Sequence, residues 1–109
     1  MTDVRVTVAV AQVLSEFLTD PSEPRYGYDL MRQTGFPSGK LYPILARLER
    51  AGWLSRTVDP GPGDGPPRRL YRLTPNGAES ARQELALLHQ QLNRSPRPFG
   101  QPQPEGDPA

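Results

Sequence analysis

Lys40, Pro43, Arg47 and Arg50 recur at i, i+3, i+7 and i+10, the spacing that gathers side chains on one face of a helix. Three of the four are cations, and a row of cations is a row of donors for the phosphates of a polyanion. Leu41, Ile44, Leu45 and Leu48, at i, i+3, i+4 and i+7, form a second, apolar face, roughly 130° away on a wheel of about 100° per residue. Tyr42 and Ala46 border the basic face. A helix of this kind buries one stripe and offers the other to the major groove of duplex DNA, about 12 Å wide. The first-turn amides near Ser38 and Gly39 add a positive dipole end suited to a phosphate. The competing reading is a merely solvated face, the usual role of Arg and Lys on an amphipathic helix. A second basic group, Arg68 and Arg69 with Arg56 and Arg72 nearby, favours the nucleic-acid reading.

The elements that must position these residues are legible in outline. Ser38 is the expected N-cap of a helix running to about Ala51 and stopping at Gly52,. Pro43 is a local conflict inside it, because it removes one backbone hydrogen bond and crowds the preceding turn. Residues 25–34 read as a short helix with Tyr28 and Met31 on one side and Thr34-Gly35 as its stop,. Two helices so closely spaced suit a helix-turn-helix. Residues 53–58 and 69–73 are strand-like, and the Gly/Pro stretch 59–67 between them makes a hairpin, or wing,. Val10, Val13, Leu14, Phe17 and Leu18 favour a helix over 4–18, although Val4, Val6, Val8 and Val10 also alternate as a strand would,. Thr74-Pro75 opens a last helix, 75–94, on which Ala78, Ala81, Leu85, Leu88 and Leu92 form a heptad seam,.

The expected fold is mainly α with a small β-hairpin: a winged helix-turn-helix over 1–74, a C-terminal dimerisation helix over 75–94, and a disordered Pro-rich tail over 95–109,. The Val-rich first helix and the seam carry more apolar surface than a monomer of this size usefully covers. Val8, Leu14, Ala81, Leu85, Leu88 and Leu92 are therefore the expected homodimer contacts.

Composition narrows the chemistry further. The chain has 109 residues, no cysteine, one histidine, 14 prolines and 10 glycines. Nine of the prolines and five of the glycines lie in 59–67 and 96–108, so the excess marks loops around a smaller folded unit,. Without cysteine there is no disulfide scaffold, thiolate metal site or cysteine nucleophile. His89 has no partner for a metal site or proton relay and reads as solvated. With no Gly-rich phosphate loop, metal-spaced set or nucleophile–base pair, an enzyme is not expected, nor is a cofactor or metal. Net charge is +1, but residues 37–72 carry seven basic and three acidic groups against three and five in 1–36, a local asymmetry suited to polyanion binding. No apolar run approaches the ~20 residues of a membrane helix, and the start of the chain does not resemble a signal peptide. The expected setting is cytoplasmic, without a membrane partner.

Tyr26-Gly27-Tyr28-Asp29-Leu30, Pro37-Ser38-Gly39-Lys40-Leu41-Tyr42-Pro43-Ile44-Leu45, Arg47-Leu48-Glu49-Arg50-Ala51-Gly52-Trp53-Leu54, Pro66-Pro67-Arg68-Arg69-Leu70-Tyr71-Arg72-Leu73-Thr74 and Gly77 together resemble the PadR-like transcriptional regulators, over about residues 5–93. The resemblance implies a winged-helix fold, a homodimer, repression from palindromic operators on double-stranded DNA, and contact of Tyr42 and its neighbours with that DNA. The shorter members of that family end in one helix that pairs with its dimer mate, which suits the seam. Lys40 departs from the small hydroxyl residue common there and adds a phosphate donor or alters base preference. Asp59 and Asp64 make the wing tip acidic, which moves the expected wing contact to Arg68 and Arg69. Trp53 and Tyr71 would line an effector pocket, but wing packing on the helical core explains them at less cost. Tyr26 and Tyr28 read as packing residues, with the Tyr28 hydroxyl as a candidate phosphate donor. A small-molecule effector is compatible with the sequence, which does not identify one. The alternative class is a winged-helix protein-interaction module that does not bind DNA.

Overall fold

The computed structural model describes residues 4–60 and 67–94. In chain order it contains α1 (Val8–Leu18), β1 (Arg25–Tyr26), α2 (Gly27–Thr34), α3 (Ser38–Arg50), β2 (Leu54–Asp59), β3 (Arg68–Leu73) and α4 (Pro75–Arg94). The helical layer packs on a small antiparallel sheet of order β1-β3-β2. Expectation and structure agree on a mainly α fold with a winged hairpin. The Pro-rich tail and most of the wing tip, including Asp64, lie outside the described residues.

Local chemistry decides where each element begins. The first helix starts at Val8, not at residue 4. The Thr7 side chain accepts a hydrogen bond from the Val10 amide at 3.2 Å and caps it,. Val4 and Val6 precede it as half-buried chain packed against the core. At α3 the cap is Pro37, not Ser38. Its carbonyl accepts from the Lys40 and Leu41 amides at 3.0 and 2.9 Å, and Ser38 is the first helical residue. The helix runs through Pro43 and gives way at Gly52, whose φ of +82° favours glycine,. Gly35 ends α2 in the same left-handed region,.

The expected stripe of α3 is the centre of the core. Leu41, Ile44, Leu45 and Leu48 are all buried, with Val13, Leu14 and Phe17 of α1 and Leu30 of α2. Burying one such side chain contributes about 1.5–3 kcal/mol. On α2 the buried residues are Gly27 and Leu30, while Tyr28 is 63% exposed, so Tyr28 is not a packing residue. Leu54, Tyr71 and Leu73 present the sheet's inner face to this core, and Trp53 is buried beside them. Packing on the core thus accounts for both aromatic residues of the wing.

The sequence pattern does not foreshadow β1. It is a two-residue strand, Arg25 opposite Tyr71 and Tyr26 opposite Leu70, too short for any periodicity to register. The hairpin pairs from Leu54↔Leu73 to Asp59↔Arg68 without a break. Asp59 therefore closes the strand instead of sitting at the tip of the loop.

Thr74 ties α4 to the turn before β2. Its hydroxyl accepts from the Gly77 amide at 2.8 Å and donates to the Gly52 carbonyl at 2.7 Å. Thr74→Ala loses both the cap and the tether and is expected to cost about 1–2 kcal/mol. A thermal melt should show this as a drop of roughly 4–16 °C, whereas Thr74→Ser should largely keep the wild-type value.

Candidate nucleic-acid interface

On α3, Ser38, Gly39, Lys40, Pro43, Arg47 and Arg50 are all exposed, the last four on the side away from the buried stripe. The basic face is therefore on the surface, as the spacing requires. Arg47 and Arg50 lie in the last turn, where cations also suit the helix's negative end,. Lys40 has no such local reason, since it sits in the first turn, against the dipole,. Its ammonium lies 4.2 Å from the centre of the Phe36 ring, a contact that holds the charge near the amides of Ser38 and Gly39. The first turn has no acidic residue, so lysine and free amides together favour an external anion.

Tyr42 turns the other way, toward the sheet. It is half-buried, and its ring lies directly on Gly27, at the start of α2. A β-carbon on Gly27 would collide with the Tyr42 hydroxyl oxygen and stand 2.9 Å from two ring carbons. Only glycine allows this approach. The Arg69 guanidinium lies 5.2 Å from the Tyr42 ring centre, and that of Arg68 lies 5.5 Å from the Tyr26 ring centre. Tyr26, Gly27, Tyr28, Tyr42, Pro67, Arg68 and Arg69 enclose an open groove of about 350 Å³ between the wing root and the two helices. Sequence reasoning reaches Tyr28, Tyr42 and the two arginines but misses Gly27 as what seats Tyr42. The one signal for it is a glycine between two tyrosines.

The remaining arginines of the hairpin are committed within the chain. Arg56 pairs with Glu49 at 3.4 Å on the surface, and Arg72 donates to the Ser22 carbonyl at 3.1 Å. Asp59 accepts a hydrogen bond from the Tyr26 hydroxyl. That bond, with a smaller contribution from lost hydration, pushes the Tyr26 phenol above its usual pKa,. His89 is exposed and within 3.1 Å of Asn93.

The expected dimer contacts divide. Leu14 and Ala81 are fully buried in the chain's own core and have no surface for a second copy. Leu85 is half-buried against that core. Val8 and Leu92 are each 62% exposed, and Leu88 is half-exposed. A heptad pattern identifies the apolar positions of a helix but not what covers each one.

The profile of the transcriptional regulator PadR-like family matches residues 16–83. Among solved structures, a PadR family transcriptional regulator from Eggerthella lenta DSM 2243 is 28% identical, covering 79% of this chain and 80% of its own, with a TM-score of 0.64. Wild-type MarR from E. coli in its apo form is also 28% identical, with a TM-score of 0.64 over 81% of this chain, which spans about 61% of MarR. The PcaV transcriptional regulator from Streptomyces coelicolor shares the fold at 23% identity, with a TM-score of 0.67 over 86% of this chain and 67% of its own. No curated protein sequence matches.

Proposed function

The chain belongs to the transcriptional regulator PadR-like family, and from that membership we propose that it is a homodimeric, sequence-specific DNA-binding repressor acting on a palindromic operator. The observation that carries this reading is that α3 exposes Lys40, Arg47 and Arg50 while two exposed wing-root arginines stack on Tyr42 of the same helix and on Tyr26. In this reading α3 enters the major groove. Ser38 and Gly39 offer amides to a phosphate, and Lys40, Arg47 and Arg50 neutralise neighbouring phosphates. Pro43 lies nearest the base edges, and the half-buried Tyr42 backs Arg69, which with Tyr28 and Arg68 holds the flanking backbone,. No helix among the described residues is long and apolar enough to cross a membrane, and the protein acts in the cytoplasm.

A second copy docks through Val8, Leu88 and Leu92, with Leu85 at the margin. The early turns of α4, where Ala81 is buried, serve the winged-helix core, and the later turns serve the dimer. Two copies present α3 helices about 34–36 Å apart to successive major grooves. Sedimentation should give a dimer at micromolar concentration, and Leu88→Asp/Leu92→Asp should give a folded monomer.

Selection of bound sequences from a random duplex library by the full chain tests the DNA reading. Enrichment of a palindrome with half-sites one helical turn apart is the expected result. With the selected duplex, Arg47→Ala should lower the slope of log K against log salt by about 0.9 per protomer. A stable protein complex, with no salt-sensitive affinity for any duplex, would instead establish an interaction module. Derepression of a reporter on deletion of the gene distinguishes repressor from activator.

A further inference from the structure

Three strands place Asp59, Arg68 and Tyr26 on one face of the sheet, with Tyr26 diagonal to the Asp59–Arg68 pair. Asp59 and Arg68 are register partners on β2 and β3, and Tyr26 on β1 pairs with Leu70, two residues beyond Arg68 on the same face,. The Tyr26 side chain spans β3 and donates its hydroxyl to the Asp59 carboxylate. The Arg68 guanidinium lies 5.5 Å from the centre of the spanning ring. One phenol thus links both outer strands at the point where the described hairpin ends, with the arginine held against it.

We infer that Tyr26 and Asp59 form a latch that positions Arg68 for the DNA backbone, making both of them positioning residues. This rests on the DNA-binding reading above. It also accounts for an acid in a basic wing. By charge alone a carboxylate beside Arg68 opposes phosphate, so every neutral replacement of Asp59 should tighten binding. As a latch the side chain is needed for its acceptor oxygen, and asparagine, which keeps one, differs from alanine, which keeps none. The phenol is the donor and the carboxylate the acceptor of this bond. The ring itself packs Arg68, so Tyr26→Phe removes the bond while retaining the stack.

The test uses the full chain, the duplex recovered by selection and salt from about 50 to 200 mM. Tyr26→Phe and Asp59→Ala are each expected to bind about eightfold more weakly near 0.1 M salt, with a slope smaller by about 0.9 per protomer, the equivalent of one phosphate contact. Asp59→Asn should bind at least as tightly as the wild type. In an Arg68→Ala background, Tyr26→Phe should produce no further loss, because the residue it positions is gone. Equal tightening by Asp59→Ala and Asp59→Asn, or full additivity with Arg68→Ala, would overturn the latch. Amide hydrogen exchange on the free protein is an independent readout. Protection at residues 68–70 should fall in Tyr26→Phe and Asp59→Ala and persist in Asp59→Asn; unchanged protection in the first two also overturns it. A wild-type chain that binds no duplex would overturn the DNA reading alone, and hydrogen exchange would then decide the latch.

Discussion

Gly77→Ala is expected to lower the melting temperature by roughly 12–24 °C. A β-carbon at Gly77 would collide with the Trp53 carbonyl oxygen and stand 2.6 and 2.7 Å from two further Trp53 backbone atoms. Backbone cannot rotate aside as a side chain can, so either α4 lifts away or the turn before β2 is pushed off α3. Ordinary overpacking costs about 1–3 kcal/mol, and rigid neighbours on one side put this case at or above the upper figure. For a domain of this size each kcal/mol corresponds to about 4–8 °C. The control is Gly39→Ala. That glycine is also helical, but nothing lies within 4 Å of the added carbon, so the helix gains up to about 1 kcal/mol. Differential scanning calorimetry on the two variants should show shifts of opposite sign. A Gly77→Ala protein that melts with the wild type would mean that α4 does not dock on Trp53.

Removing Lys40, Arg47 and Arg50 together should abolish tight DNA binding while leaving the fold intact. Each phosphate contact contributes about 0.9 to the salt slope, so three lost contacts lower it by about 2.7 per protomer. Near 0.1 M salt that amounts to a loss of several hundred-fold per protomer. All three side chains are exposed, and removing two cations from the last turn of α3 costs only about 0.3–1 kcal/mol each. Circular dichroism should therefore be unchanged while fluorescence anisotropy against the selected duplex shows no tight complex. Retained affinity in this triple variant would remove α3 from the interface, whatever the wing contributes.

Much of this surface is legible in residue order because helical periodicity separates core from solvent without any tertiary information. Leu41, Ile44, Leu45 and Leu48 are buried and Lys40, Pro43, Arg47 and Arg50 exposed for the same geometric reason. Thr74-Pro75 marks the start of α4 because both residues act locally, one as a cap and one with a preset φ. The features that escape depend on contacts distant in sequence. β1 exists only because β3 pairs with it. Asp59 reads as a repulsive tip charge because its partner Tyr26 is 33 positions away. Leu14 and Ala81 look like interface residues because an apolar stripe on one helix does not reveal which neighbour covers it. Ser38 is displaced as a cap by Pro37, whose carbonyl accepts from the Lys40 and Leu41 amides without using a side chain at all.

The seating of α4 on Trp53 also has a mechanical consequence. From Gly77 to Arg94 the helix rises by about 26 Å at 1.5 Å per residue. Its near end is clamped to the backbone that follows α3, and its far turns carry the exposed Leu92. The helix is therefore a lever with its fulcrum beside the end of α3. A tilt of about 10° at the fulcrum swings the far end by about 4–5 Å, a sizeable part of one helical pitch. In the proposed dimer, where two such helices would join at their far ends, the distance between the two copies of α3 would be a function of that one angle.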